Sequence, residues 1–252
     1  MTLARVSCAV AVVAALLLPS TASAAGDFPL RGWWPLNEGK GQVVKDWSGN
    51  RNHGYLGSTP VADANDPSWI KGIFWGSALN FSGDDFVTIP DSTSLEPQRL
   101  TVSLWFRASA SPGTYRYLLA KGADNCVASS YALQTRWHGG LEFTLWNGSQ
   151  QFRSGAAGTN VWDGRWHNAA GTWDGASPKL FIDGKLQPGG SVSNETIDYN
   201  GPVGGTTLGG YHGTCDLLFA GDIDEVHVWS QALPVGEIWD RWGWLLGIPT
   251  RQ

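Results

Sequence analysis

Charge is scarce in this chain. Asp, Glu, Lys and Arg make up 15% of its 252 residues, against about a quarter in ordinary domains. Seventeen Lys+Arg face 22 Asp+Glu, a formal net charge of −5, a balance that argues against nucleic acid as a partner. Cysteine occurs only as Cys8, Cys126 and Cys215, without any metal-binding spacing. No Ser lies in G-x-S-x-G, and neither H-E-x-x-H nor a P-loop occurs, which removes the sequence signatures of α/β-hydrolases, zinc proteases and P-loop NTPases. Long helical periodicity is missing as well. Beyond the N-terminus no apolar stretch is long enough to cross a bilayer, so no membrane association is expected.

Glycine and tryptophan are abundant instead, at 33 and 15 residues, a composition suited to many strands, tight turns and aromatic surfaces. Residues 1–24 combine Arg5, an apolar run from Ala9 to Leu18 and the small-residue site Ala22-Ser23-Ala24, the pattern of a secretory signal peptide. Its removal takes away Arg5 and leaves a net charge of −6 on residues 25–252. In an exported chain the two remaining cysteines, Cys126 and Cys215, read as a disulfide; two buried reduced thiols are the alternative.

Period-2 alternation recurs along the chain. In LTVSLWFRA, Val102, Leu104 and Phe106 oppose Thr101, Ser103, Trp105 and Arg107; in LEFTLW, Leu141, Phe143 and Leu145 oppose Glu142, Thr144 and Trp146. Asp183-Gly184 marks a hairpin because that turn needs positive φ. Further strands are expected in GWWPL, SALNF, DFVTIP, YRYLLAK, YALQTRW, RWHNAAGTWD and TTLGGY, enough for two packed antiparallel sheets in one domain, 25–252. The segment FAGDIDEVHVWSQALPVGEI predicts a last strand followed by a short helix carrying Leu233, Glu237, Ile238 and Arg241, with Pro234 in its first turn. Strict alternation there puts Asp224 on one face with Val226 and Val228, and Glu225 on the other with Ile223, His227 and Trp229.

WWPLNEGKG, DWSGNRNHG, SALNFSGDDFVTIP, LTVSLWFRA, RWHNAAGTWDG with KLFIDGK, and AGDIDEVHVWSQALPVGEI follow one another in the order seen in laminin G-like jelly-roll domains of the concanavalin A-like lectin/glucanase superfamily, which the chain resembles from Trp33 to Trp242. The resemblance implies an all-β, two-sheet antiparallel jelly-roll sandwich with a short C-terminal helix, its first and last strands adjacent. It also implies a cysteine pair where Cys126 and Cys215 stand. Pro234, where relatives often carry a Ser cap, departs from the pattern, as does the Trp-rich tail DRWGWLLGIPTRQ.

Candidate sites follow from residue chemistry and from the resemblance together. Asp46, Ser48, Asn50 and Asn52 in one tight turn, with Asp224 brought near by the topology the resemblance implies, form an oxygen-rich set suited to one structural Ca²⁺, and relatives often hold calcium in this region; an Asx-type turn is the alternative. Trp105 and Trp146 stand on otherwise polar strand faces, where an indole can stack on a sugar ring while Arg107, Glu142 or Asn147 bond its hydroxyls; burial of these tryptophans beneath loops is the alternative. Trp33, Trp34, Trp166 and Trp173 are expected in or near the core. Asp222-Ile223-Asp224-Glu225 lacks the leading Glu of the Glu-x-Asp motif by which glucanases of this fold pair two carboxylates. The five histidines are dispersed, and His167 in the family's WH position reads as structural. The expectation is a secreted, monomeric, non-catalytic module that recognises extracellular or cell-wall polysaccharide. A protein-binding surface module and a divergent glycoside hydrolase are the alternatives.

Overall fold

The computed structural model describes residues 30–122, 128–200, 204–211, 215 and 217–238. The expected signal segment 1–24, Cys126, Arg241 and the Trp-rich tail beyond Ile238 lie outside them. Among the described residues are sixteen strands: β1 (Leu30–Trp34), β2 (Val43–Val44), β3 (Gly54–Leu56), β4 (Ser68–Lys71), β5 (Ser77–Ser82), β6 (Val87–Ile89), β7 (Leu100–Arg107), β8 (Tyr117–Lys121), β9 (Tyr131–Thr135), β10 (Leu141–Trp146), β11 (Gln151–Arg153), β12 (His167–Trp173), β13 (Pro178–Ile182), β14 (Lys185–Leu186), β15 (Thr206–Leu208) and β16 (Ala220–Trp229). Residues 235–238 form one helical turn, in which the Pro234 carbonyl accepts from the Glu237 and Ile238 amides. Pro234 therefore stands just before the turn and supplies its first acceptor. No helix among the described residues is long and apolar enough to span a membrane.

The strands form two antiparallel sheets. The first runs β14-β13-β12-β7-β16-β5-β4, with β1 also paired to β16; the second runs β11-β10-β9-β8-β15-β6-β3-β2. First and last strands are thus neighbours, Trp34 opposite Val226 and Leu30 opposite Trp229. The Asp183-Gly184 hairpin joins β13 to β14 with both residues at positive φ, as its turn chemistry dictates.

Alternation fills the space between the sheets. Val102, Leu104 and Phe106 from β7, Leu79 and Phe81 from β5, and Ile223, Val226 and Val228 from β16 meet Leu141, Phe143 and Leu145 from β10 and Tyr131 and Leu133 from β9. Trp34 and Trp173 are fully buried, whereas Trp33 and Trp166 are half-buried. The layers approach closely at Gly171 on β12, where an added Cβ would lie 2.3 Å from the Phe143 ring.

One register shift changes the reading of the last strand. Asp224 opposes Trp105 and His227 opposes Ser103, so Glu225 and Val226 together face Leu104. Two residues thus oppose one, a β-bulge, at which Glu225 adopts φ +49, a left-handed conformation uncommon outside glycine. The extra residue resets the alternation. Ile223, Val226 and Val228 all point into the core, while Asp224 lies with Trp105 on the outer face. This corrects the expectation that Asp224 shares a face with Val226 and Val228 and that Glu225 shares one with Ile223.

Candidate functional site

The outer face of the first sheet is covered. Residues 72–76 fold over it, closed by a Gly72 amide to Gly76 carbonyl bond, and Phe74 meets Trp105 edge-on with ring centroids 5.5 Å apart. Trp105 is left 3% exposed. The Ile73 amide donates to Asp224 Oδ2 at 2.9 Å and the Glu225 amide to Oδ1 at 2.9 Å. Burial is the main reason Asp224 is raised to about 8, with the neighbouring Glu225 carboxylate adding to it and the two amides opposing. Glu225, raised by burial to about 7, accepts from the Trp33 indole at 3.1 Å. Further along, Leu233 and Ile238 pack with Trp229 and Ala170. Arg107 is spent within the protein, its Nε 2.6 Å from Asp222 Oδ2 and its guanidinium 4.8 Å from the centre of the Trp166 ring.

The outer face of the second sheet is covered in part, Tyr211, Cys215 and Leu217 packing on Tyr117, Ala120 and Ala132. Alternation along β10 sends Glu142, Thr144 and Trp146 outward, since Leu141, Phe143 and Leu145 enter the core. Strand pairing sets Gln134 of β9 opposite Glu142 and Arg153 of β11 opposite Thr144. Gln134 Nε2 donates to Glu142 Oε1 at 3.2 Å. Arg153 Nη1 stands 3.6 Å from Oε1 and Arg136 Nε 3.4 Å from Oε2. Glu142 is fully buried; burial raises its pKa, and the two arginines and Gln134 only partly offset that. Arg153 Nη2 also donates to Gln151 Oε1 at 2.9 Å.

Two grooves open beside this group. One, of about 320 Å³, is lined by Tyr115, Tyr117, Gln134, Gln151, Arg153, Cys215 and Leu217. The other, of about 470 Å³, runs between Arg136, Arg153 and residues 154–156 and 188–191. Arg153 lines both. Tyr115 stands at the first with 43% of its surface exposed and φ +53, a backbone region uncommon for a bulky side chain.

These positions divide the expected sugar site. Trp105 and Arg107 lie on the outer face of one sheet, Glu142 and Trp146 on that of the other, so the four cannot contact one ligand. Asn147 holds its own turn, its Oδ1 accepting from the Ser149 and Gln150 amides and its Nδ2 donating to Glu195. Sequence reasoning missed Tyr115, Gln134, Arg136 and Arg153. Alternation in YALQT and QFR puts Gln134 and Arg153 opposite core residues, but only the pairing of β9, β10 and β11 reveals that they share a face with Glu142.

The Asp46 turn comes together as the sequence predicts. Asp46 Oδ1 accepts from the Trp33 and Ser48 amides, and Oδ2 from Ser48 Oγ and the Asn52 amide. Asn50 donates to the Leu30 carbonyl, and Asn52 to the Arg31 carbonyl and Ser94. A carboxylate has about four lone-pair sites, and all are taken. These bonds are those of the Asx-type turn, and Asp224 accepts from the amides of Ile73 and Glu225. Among the described residues no group of three or more His, Cys, Asp or Glu side chains is placed to hold a metal.

Cys215 is disulfide-bonded; its expected partner Cys126 lies outside the described residues. His167 is clamped between Asp183 (2.7 Å) and Asp163 (3.1 Å), a structural position.

A family model described as the concanavalin A-like lectin/glucanases superfamily, Laminin_G_3, matches residues 81–239. The chain belongs to this superfamily. Among solved structures, this concanavalin A-like chain is similar to domain 4 of AbnA, a GH43 extracellular arabinanase from Geobacillus stearothermophilus solved with arabinotriose; identity is 18%, TM-score 0.64, and 84% of this chain and 97% of that one are covered. A putative carbohydrate-binding protein from Bacteroides ovatus matches at 18% identity and TM-score 0.51, covering 64% of this chain and 45% of the other. The binding domain of botulinum neurotoxin DC, solved with rat synaptotagmin II, matches at 14% identity and TM-score 0.61, over 86% of this chain and 52% of that one. The concanavalin A-like chain thus spans about half the length of the neurotoxin chain. At these identities the likeness is one of fold. No curated protein matches the sequence.

Proposed function

We propose that the protein is a secreted, non-catalytic carbohydrate-binding module that takes a polysaccharide across the outer face of its second sheet. The observation that carries this reading is the pair of adjoining grooves on the second sheet, which share Arg153 and have exposed Tyr115 at the lip, whereas on the first sheet Trp105 lies beneath Phe74, and Trp229 packs with Leu233 and Ile238. Exposed Tyr115 offers a flat apolar surface to a pyranose or furanose ring, and Gln134, Gln151 and Arg153 offer the polar groups that fix a sugar's orientation. Domain 4 of AbnA, solved with arabinotriose on a comparable fold, supports the reading by analogy of fold.

Binding without turnover is favoured by the carboxylate inventory. Glycosidases that use paired Asp or Glu residues need two carboxyl groups flanking the scissile bond, and strands β8 to β11 carry Glu142 alone. Glu142 is moreover held by Gln134 and two arginines. In this reading the domain is monomeric, exported by its leader, bridged between Cys126 and Cys215, and without calcium at the Asp46 turn.

Retention on a panel of immobilised plant and bacterial polysaccharides tests the proposal. At least one should hold the protein, and Tyr115→Ala should weaken that retention about tenfold, the scale expected for one stacked aromatic. Retention of the protein by none of them would favour a protein-binding module. Sustained release of reducing ends that disappears in Glu142→Gln would establish a hydrolase.

A further inference from the structure

We infer that the two grooves recognise an anionic polysaccharide, with the acidic group of a sugar, a carboxylate or a sulfate ester, seated between Arg153 and Arg136. This rests on the carbohydrate reading above and narrows it to a ligand class.

The charge count at the site is the first observation. Two guanidinium groups converge on one carboxylate, an excess of one positive charge in a chain whose formal net charge is −5. Among the described residues no carboxylate lines either groove, Glu142 lying beneath them. Its distances of 3.4 and 3.6 Å to the arginines are those of ion pairs that leave donors over. Arginine carries five N–H donors in a planar fork. Arg136 spends its buried Nε on Glu142 Oε2, and Arg153 is bonded through Nη2 to Gln151. Both arginines line the larger groove, and two planar guanidinium forks there suit a carboxylate or sulfate.

The second observation is independent of charge. Gln134 is 1% exposed and lines the smaller groove, yet its Oε1 has no hydrogen-bond partner, because Nε2 is turned to Glu142. An orphaned buried acceptor is costly unless a ligand or water donates to it. A sugar hydroxyl does so, while a simple inorganic anion without a proton does not. Tyr115, held exposed at φ +53 on the lip of the same groove, supplies the surface for the ring. Acceptor, aromatic and paired guanidiniums within two adjoining grooves describe an acidic sugar in a chain, the ring at Tyr115 and Gln134 and the anion at Arg153.

Affinity electrophoresis of the full chain in gels containing polygalacturonate, the carboxyl-reduced polymer made from it, and the sulfated form of that reduced polymer tests the inference. Retardation by polygalacturonate but not by its reduced form supports a carboxylate ligand; retardation by the sulfated form alone supports a sulfate ester. In either case raising salt from 50 to 300 mM should release the protein. Arg153→Gln should weaken retention about tenfold to a hundredfold, and Glu142→Gln, by removing the competing carboxylate, should strengthen it. The strengthening distinguishes a binding role from damage to the fold, and an unchanged melting temperature for Arg153→Gln guards the other arm. Equal retardation by the acidic and reduced polymers, or retention only by neutral polysaccharides, overturns the anionic inference and leaves the carbohydrate reading standing. Retention by no polysaccharide of any kind overturns both.

Discussion

Glu225 combines two costs at one residue. Its backbone is in the left-handed region and its carboxyl is buried beside Asp224. Both carboxyls have folded pKa values above their ordinary ones, about 7 and about 8, chiefly because burial disfavours the charged form. A group raised in this way contributes stability that is complete below its unfolded pKa and is lost as pH rises through the folded value. The melting temperature should therefore fall between pH 5 and pH 9. Glu225→Gln, which keeps an acceptor for the Trp33 indole, should flatten that fall, as followed by calorimetry across the range. An unchanged slope in the variant would place the titrating group elsewhere. His167 acts over a different window: burial works against its charge, yet the bonds to Asp183 and Asp163 hold its pKa above the ordinary value. The ion pairs it makes are complete below its unfolded pKa and weaken as pH rises through the folded one. The carboxylates themselves were legible in the sequence; the direction of Asp224 was not. Period-2 reasoning assumes an uninterrupted ladder, and no residue type in Asp222-Ile223-Asp224-Glu225 announces a bulge, since Glu is an uncommon choice for positive φ.

At the scale of elements, β7 and β10 show which part of a strand pattern is dependable. Alternation assigned Val102, Leu104 and Phe106, and Leu141, Phe143 and Leu145, to the core, because burying one face of each strand is what the two layers require. It could not say which outer faces are open, for that depends on segments distant in sequence, residues 72–76 over Trp105 and residues 230–238 over Trp229. The candidate sugar site was split for the same reason: Trp105 and Trp146 look alike within their own strands and belong to different sheets. Contact between layers makes its own prediction. Gly171→Val would drive a branched side chain into the Phe143 ring, and overpacking of this kind costs about 1–3 kcal/mol. A drop in melting temperature of several degrees is expected, whereas Gly41→Ala, at a position with open space around it but positive φ, should cost about 1 kcal/mol through the backbone alone.

For the whole molecule, the expected disulfide and the Asp46 turn give opposite predictions. The Cys126–Cys215 bridge would close a loop of nearly 90 residues, worth up to about 4–5 kcal/mol on the chain-entropy model, so a reducing agent should lower the melting temperature markedly. Free-thiol counting on denatured, unreduced protein should find none in the mature chain. EDTA should leave the melt where it is, because the Asp46 carboxylate is saturated by the backbone and by Ser48; a clear downward shift would restore a bound cation. The architecture was largely readable from the ordered run of motifs between Trp33 and Ile238, and the position of the open face was not. One mechanical consequence follows from the pairing of Leu30 with Trp229. The start of β1 and the end of β16 meet at the same rung of their ladder, so tension along the polypeptide loads those hydrogen bonds one after another instead of all at once. Once the outer turn at 235–238 has detached, the first strand should peel away at low force, far from the grooves of the opposite sheet.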